Sequence, residues 1–222
     1  MKLVHVDLEQ QIVFGNSQGC EWIIESPKLF AKYIQELYGQ AQGNTGNFIL
    51  SEYDKQLDIE KSVEVIVNPF SVNINDKKIL NKLYAELTEL AYEEDLYLLT
   101  QEMRSKLQDY VLRLEYLSPY ILEMNSELDI TAVLKALGVK IENYSDDYFE
   151  NLNLYIKILA ELLKKKMFVL VNIGSYLEKK QIEQLIETAV HNEIKLLLIE
   201  NHQRDFSGEL IRYILDKDGC EI

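Results

Sequence analysis

From residue 75 to residue 117 the chain reads "NDKKILNKLYAELTELAYEEDLYLLTQEMRSKLQDYVLRLEYL", without one glycine or proline. A run this long with neither breaker leaves few options other than helix, because nothing in it interrupts the ladder of backbone hydrogen bonds. Leu96, Leu99, Met103, Leu107, Tyr110 and Leu114 recur at three- and four-residue spacing. Ile79, Leu80, Leu83, Tyr84, Leu87 and Leu90 make a similar face, ahead of the acidic break from Glu93 to Asp95. Such stripes are the mark of amphipathic helices. The pattern predicts two of them, lying antiparallel, burying their stripes and projecting as a helical arm over residues 76–129.

On either side of the arm the pattern changes to short apolar runs. "KLVHVDLE", "QQIVFGN" and "CEWIIES" read as strands, and "VEVIVN" is the nearly continuous run of a buried one. Ser26 followed by Pro27 is a helix start, opening "PKLFAKYIQELYGQ", and "GQAQGNTGN" is the clearest loop. After the arm, "NLNLYIKILAELLKKK" reads as helix, "MFVLVNI" as buried strand, "LEKKQIEQLIETAVHN" as helix and "IKLLLIEN" as buried strand. Strand, helix, strand with short joints implies parallel pairing through right-handed crossovers. The expected fold class is therefore α/β. Residues 1–75 and 130–222 form a head with a mixed or parallel sheet, interrupted by the arm.

Charge and composition exclude several functions. There are 37 acidic against 23 basic side chains, for a formal charge of −14. A long-range field of that sign repels phosphate, so nucleic-acid binding requires cations gathered on one surface or a bound metal ion. No apolar run approaches the roughly 20 residues of a membrane helix. The opening "MKLVHVDLEQ" alternates apolar and polar residues, unlike a signal peptide, so a cytoplasmic protein with no membrane association is expected. Cys20 and Cys220 stand far apart with no CxxC pair, which argues against a disulfide framework or a zinc site.

Few motifs point to catalysis. "GNSQGCEW" approaches a phosphate loop, yet Gly15 and Gly19 are one residue too close, Cys20 stands where lysine belongs and Glu21 replaces the magnesium-binding hydroxyl. A simple hairpin turn is the better reading. His5, His191 and His202 are scattered, and "VNIGSYL" lacks the nucleophile elbow, leaving Ser175 as a helix cap. Lys164 to Lys166 end a helix, where cations complement its dipole. "ILEMNSELDI" carries Glu123, Asn125, Glu127 and Asp129 on alternating positions, which suits either a solvated acidic joint or a hard cation such as calcium. In "VLKALGVKIENYSDD", Lys135 and Lys140 flank Gly138. They either complete a helix ending or face a polyanion.

"VLKALGVKIENYSDDYFE", "LLKKKMFVLVNIGSYL" and "IKLLLIEN", with an α/β head interrupted by a long helical pair ahead of an acidic joint, resemble the ring-forming accessory protein of the type II-A CRISPR adaptation module. The resemblance is densest from about residue 130 to 200. It implies a homotetrameric ring whose heads resemble a degenerate P-loop ATPase, in agreement with the defective "GNSQGCEW". It implies sequence-independent binding of double-stranded DNA ends, the duplex passing through a lysine-lined hole, with Lys135 and Lys140 in the positions of lumen lysines. Asp146 matches the family's Ser-Asp pair. Calcium near the joint would support the ring, with Glu123, Glu127 and Asp129 as its ligands. No catalysis is implied, only assistance to spacer acquisition beside the integrase proteins and the effector nuclease. The competing expectation is a nucleotide-binding, ATPase-like switch protein with a helical arm.

Overall fold

The computed structural model describes residues 1–143, 145–204 and 210–222. Two compact units make up the chain: residues 1–74 together with 143–222, and residues 75–142.

The first unit is built on two sheets. Strands β1 (Lys2–His5), β2 (Ile12–Val13), β4 (Phe48–Glu52) and β5 (Lys55–Leu57) form an antiparallel sheet in the order β2-β1-β4-β5. Strands β3 (Gly19–Ile24), β6 (Val63–Ile66), β7 (Met167–Val171), β8 (Lys195–Glu200) and β9 (Ile211–Leu215) form a parallel sheet in the order β6-β7-β8-β3-β9. Helices α1 (Pro27–Ala41), α2 (Ile59–Ser62), α6 (Tyr148–Leu162) and α7 (Lys179–His191) accompany them. The fold is α/β, with crossovers between parallel neighbours as the apolar runs require.

Burial explains the continuous runs. Every residue of β3 and of β7 is buried, as expected of strands covered on both faces. Helix α1 buries Tyr33, Leu37 and Ala41, four residues apart, and Pro27 occupies its first turn behind Ser26. His5 and Trp22 pack against Tyr33 and Phe48, with ring centroids from 4.6 to 6.3 Å apart, so α1 draws residues of both sheets into one core.

The segment "GNSQGC" is not a hairpin. Strands β2 and β3 lie in different sheets, and residues 14–18 carry the chain from one to the other. Short-range pattern cannot distinguish a turn within a sheet from a passage between sheets. Strands β4, β5 and β9 also escaped the pattern. The β4–β5 turn uses Tyr53 and Asp54, both at positive φ, between the paired Glu52 and Lys55. Such two-residue turns usually advertise themselves with Asn-Gly or Asp-Gly, and this one does not.

The second unit contains α3 (Lys77–Ala91), α4 (Glu94–Leu117) and α5 (Ile130–Ala136). Asp76 caps α3 by accepting from the Ile79 amide at 2.8 Å. Helix α3 buries Ile79 and Tyr84 and packs on α5, where Thr88 and Thr131 hydroxyls meet at 3.1 Å. Helix α4 starts two residues after α3, and the Thr100 hydroxyl donates to the Ala91 carbonyl at 2.7 Å. Thr100 is its one buried residue. Leu99 is 61% exposed and Leu114 43%, so the stripe predicted to be covered by α3 is open to solvent in the single chain. Periodicity marks a face as apolar; it does not say which body covers it.

Candidate nucleic-acid interface

In a parallel α/β sheet, phosphate is held where a strand ends and a helix begins, by the glycine-rich loop and the helix N-terminus. The joint that follows β3 is Glu25–Ser26, ahead of α1, and it holds no glycine; the passage from β7 to α7, residues 172–178, holds Gly174. "GNSQGC" enters β3 at the opposite end. Glu21 does not oppose a ligand there. Its side chain is buried inside β3, where Oε2 accepts from Arg212 Nε at 2.6 Å. Burial raises its carboxyl above the ordinary range, with Arg212 pulling the other way. The Cys20 thiol, also buried, is pushed up to about 12 by desolvation, which removes it as a nucleophile.

Two other basic groups have structural duties that spacing concealed. Lys165 is buried, its Nζ donating to the Glu60 and Val63 carbonyls at 2.7 and 2.5 Å, while Lys166 pairs with Glu52 at 2.5 Å. Their side chains fasten the β7 entry to α2, β6 and β4, while the Lys165 backbone amide closes the end of α6 on the Leu159 carbonyl at 3.2 Å. Ser175 is not a helix cap either: α7 begins at Lys179 behind Glu178, and Ser175 Oγ accepts from Arg204 at 2.8 Å. Arg204 also donates to Glu200, a buried acid that accepts the Gly174 amide at 2.9 Å and whose carboxyl is raised by burial. The Glu21–Arg212 and Glu200–Arg204 pairs were missed in the sequence. Their one signal was an acid inside or at the end of a largely apolar strand.

The lysines at residues 135 and 140 differ from these. Helix α5 ends in a Schellman motif: Gly138, at φ +66°, donates to the Lys135 carbonyl, and Val139 donates to that of Leu134, each at 3.1 Å. The backbone therefore closes the helix without either lysine side chain. The following residues lie along α3. Tyr84 Oη donates to the Val139 carbonyl at 2.7 Å, and the Asn75 side chain makes two 2.9 Å bonds with the Ile141 backbone. Lys135 Nζ stands 6.0 Å from the Tyr84 ring centroid. Both lysines are exposed, and among the described residues neither forms an ion pair. A rigid backbone presenting two free ammonium groups can hold phosphate.

The acids nearby are arranged otherwise. Asp129 Oδ1 accepts the Ala132 amide at 3.0 Å and caps α5. Glu127 and Asp129 border a mainly apolar groove of about 420 Å³, formed by Leu107 and Val111 of α4, Met124, Leu128, and Ala132 and Val133 of α5. Glu123 is exposed and does not border it. Among the described residues no group of three or more acidic, histidine or cysteine side chains is gathered to hold a metal ion. Calcium takes six to eight oxygens, and Glu123, Glu127 and Asp129 stand exposed and ungathered in the single chain. In the other unit Asp146 is exposed, and Asp147 caps α6 through the Phe149 and Glu150 amides at 2.9 and 3.0 Å.

These features define a class: an α/β protein with an inserted helical unit and exposed lysines on a braced backbone. The model of the family described as CRISPR-associated protein (Cas_Csn2) matches residues 40–219, and the chain belongs to that family. It is 32% identical over 151 residues to a CRISPR-associated protein Csn2 of Streptococcus agalactiae, which covers 68% of this chain and 58% of that protein. The chain therefore spans less than two thirds of that relative. It is 27% identical over 203 residues to a CRISPR-associated protein Csn2 of Enterococcus faecalis, covering 88% of this chain and 87% of the other. Among the described residues, no helix is long and apolar enough to cross a membrane.

Proposed function

We propose that the protein is a noncatalytic, cytoplasmic homotetrameric ring that binds double-stranded DNA ends without sequence preference and so supports CRISPR spacer acquisition. In this reading the head is a degenerate relative of P-loop ATPases and the helices of residues 76–129 are its antiparallel arm. The integrase proteins of adaptation and the effector nuclease are its partners. The observation that carries the DNA assignment is the state of Lys135 and Lys140: exposed, unpaired, and released from helix-ending duty by Gly138. Supporting the ring, the α4 stripe is apolar and uncovered, and closed symmetric assembly removes such a surface where an open contact would aggregate.

Lysines lining a hole make it locally positive within a Debye length of about 8 Å, whatever the net charge outside. The outer acidity then disfavours lateral contact and leaves ends as the route of entry. Calcium acts in this reading as a ligand of the acidic segment around Glu123, Glu127 and Asp129, offsetting charge near the DNA path. On one chain those carboxylates do not converge, so the ion draws on further oxygens supplied by assembly or solvent.

The test is a comparison of linear and covalently closed duplex over a range of salt. Lys135→Gln with Lys140→Gln weakens linear-duplex binding uniformly across sequences. It also flattens the log–log salt dependence by about 0.9 for each phosphate no longer neutralised, with particle mass unchanged. Binding by the double variant equal to its parent's, or equal affinity for ends and closed circles, overturns the reading.

A further inference from the structure

Resting on the DNA reading above, we infer that Lys77, at the start of α3, is a third phosphate-binding residue on the surface that carries Lys135 and Lys140, and that its neighbours Lys78 and Lys82 are not. Lys77, Tyr84 and Thr88 fall on one side of α3, because seven residues complete about two helical turns and four complete about one. That side is the one facing α5 and the segment after it. Thr88 meets Thr131, Tyr84 meets Val139, and Asn75, just ahead of the helix, holds Ile141 from both its amide and its carbonyl.

Residues 139–141 therefore run along the first turns of α3 in the direction opposite to the helix. Lys140 sits between the two anchored positions, which are held by Tyr84 of α3 and by Asn75 just ahead of it, the residues that bracket Lys77 in the chain. Lys135 joins them through the Tyr84 ring. By the same spacing, Lys78 and Lys82 are one turn apart from each other and lie about 100° and about 140° round the helix from Lys77, off the side that meets α5 and the segment after it.

No duty within the fold explains Lys77. It is exposed, and among the described residues it has no carboxylate partner. It occupies the first turn of a helix that has no acid there, where the dipole disfavours a cation. Removing the charge should thus leave α3 as stable or more so, and any loss on substitution is a loss of ligand. Asp76 is committed to the cap, and Glu142 is the nearest acid in the chain beyond the anchored segment. Neither closes off the lysines.

The experiment measures binding of a linear duplex against salt concentration for the full chain and its variants. Lys77→Gln should weaken binding about as much as Lys140→Gln does. Its log–log slope should be shallower than the parent's by about 0.9 for every copy that touches phosphate. Lys78→Gln with Lys82→Gln should leave the slope unchanged, and Lys77→Arg should restore it. Melting temperature and particle mass, measured on each variant, should equal or exceed the parent's. A parent that binds duplex while Lys77→Gln keeps its slope overturns this inference and leaves the DNA reading standing. So does an equal effect from the Lys78 and Lys82 pair, which reports bulk charge and not a surface. A parent that binds no duplex ends both readings together.

Discussion

Strand β7 and helix α4 are both rich in large apolar residues, yet all of β7 is buried while α4 buries one threonine along its whole length. In the first unit, sheet and helices supply each other's covers: Leu197 has no exposed surface and Ile156 almost none. In the second unit, α3 finds a partner in α5, but the outer length of α4 finds none, and Leu112, Tyr116 and Leu117 stand more than half exposed. Equal apolarity thus has two meanings. In the body it is core, completed within one chain. On α4 it is surface left in water in the single chain, where covering it is worth roughly 25 cal/mol for each Å².

The contrast breaks most visibly by charging each region. Leu197→Asp should unfold the chain, since an unpaired carboxylate in that core costs well over ~3 kcal/mol. Leu114→Asp, at a position 43% exposed, should keep the circular dichroism of the folded chain. If urea titration shows both variants equally unfolded, the two regions do not differ as described. A second effect concerns assembly. Leu99→Ser with Leu114→Ser should reduce the particle mass in light scattering toward that of one chain while secondary structure persists. A parent that is already monomeric at micromolar concentration, in calcium and in chelator alike, removes the reason given for the open stripe.

Smaller effects sharpen the comparison. Gly138→Ala meets no atom within 4 Å of the added carbon, so its cost is that of placing a side chain at φ +66°, about 1–2 kcal/mol. Chemical denaturation measures it; a change near zero would mean the helix ending tolerates another backbone and does not fix Lys140. Least in size is the pH effect of Glu21. Its folded pKa is raised by burial, so the folded chain binds that proton more tightly than the unfolded one. Stability from this group therefore falls as pH rises from its ordinary value of 4.5 through the raised one. Glu21→Gln should flatten that part of the melting-temperature profile, and an unchanged profile would assign the pH dependence to other acids.

Much of the body was legible because burial on both faces writes itself into sequence: "MFVLV" and "KLLLIE" are strands with no alternative use. Helix α1 announced its start through Pro27, and the breaker-free run announced α3 and α4. The hairpin at Tyr53 and Asp54 was silent, since its positive φ values are carried by residues that do not demand them. At the candidate site, the glycine after α5 was readable, but the bracing of residues 139–141 was not. Asn75 and Ile141 are separated by the entire helical unit, and no local pattern records their two hydrogen bonds.

By itself the sequence determined the class of fold and the places where the long helices run, because these depend on periodicity and on residue types at fixed spacing. Tertiary structure alone decided which charges are free. Lys165 and Lys135 look alike beside helix ends in the sequence. One is buried against the Glu60 and Val63 carbonyls and the other stands in solvent. The difference arises from elements a hundred residues away that either do or do not close over the ammonium group, and pairing at such distances leaves no trace in local spacing.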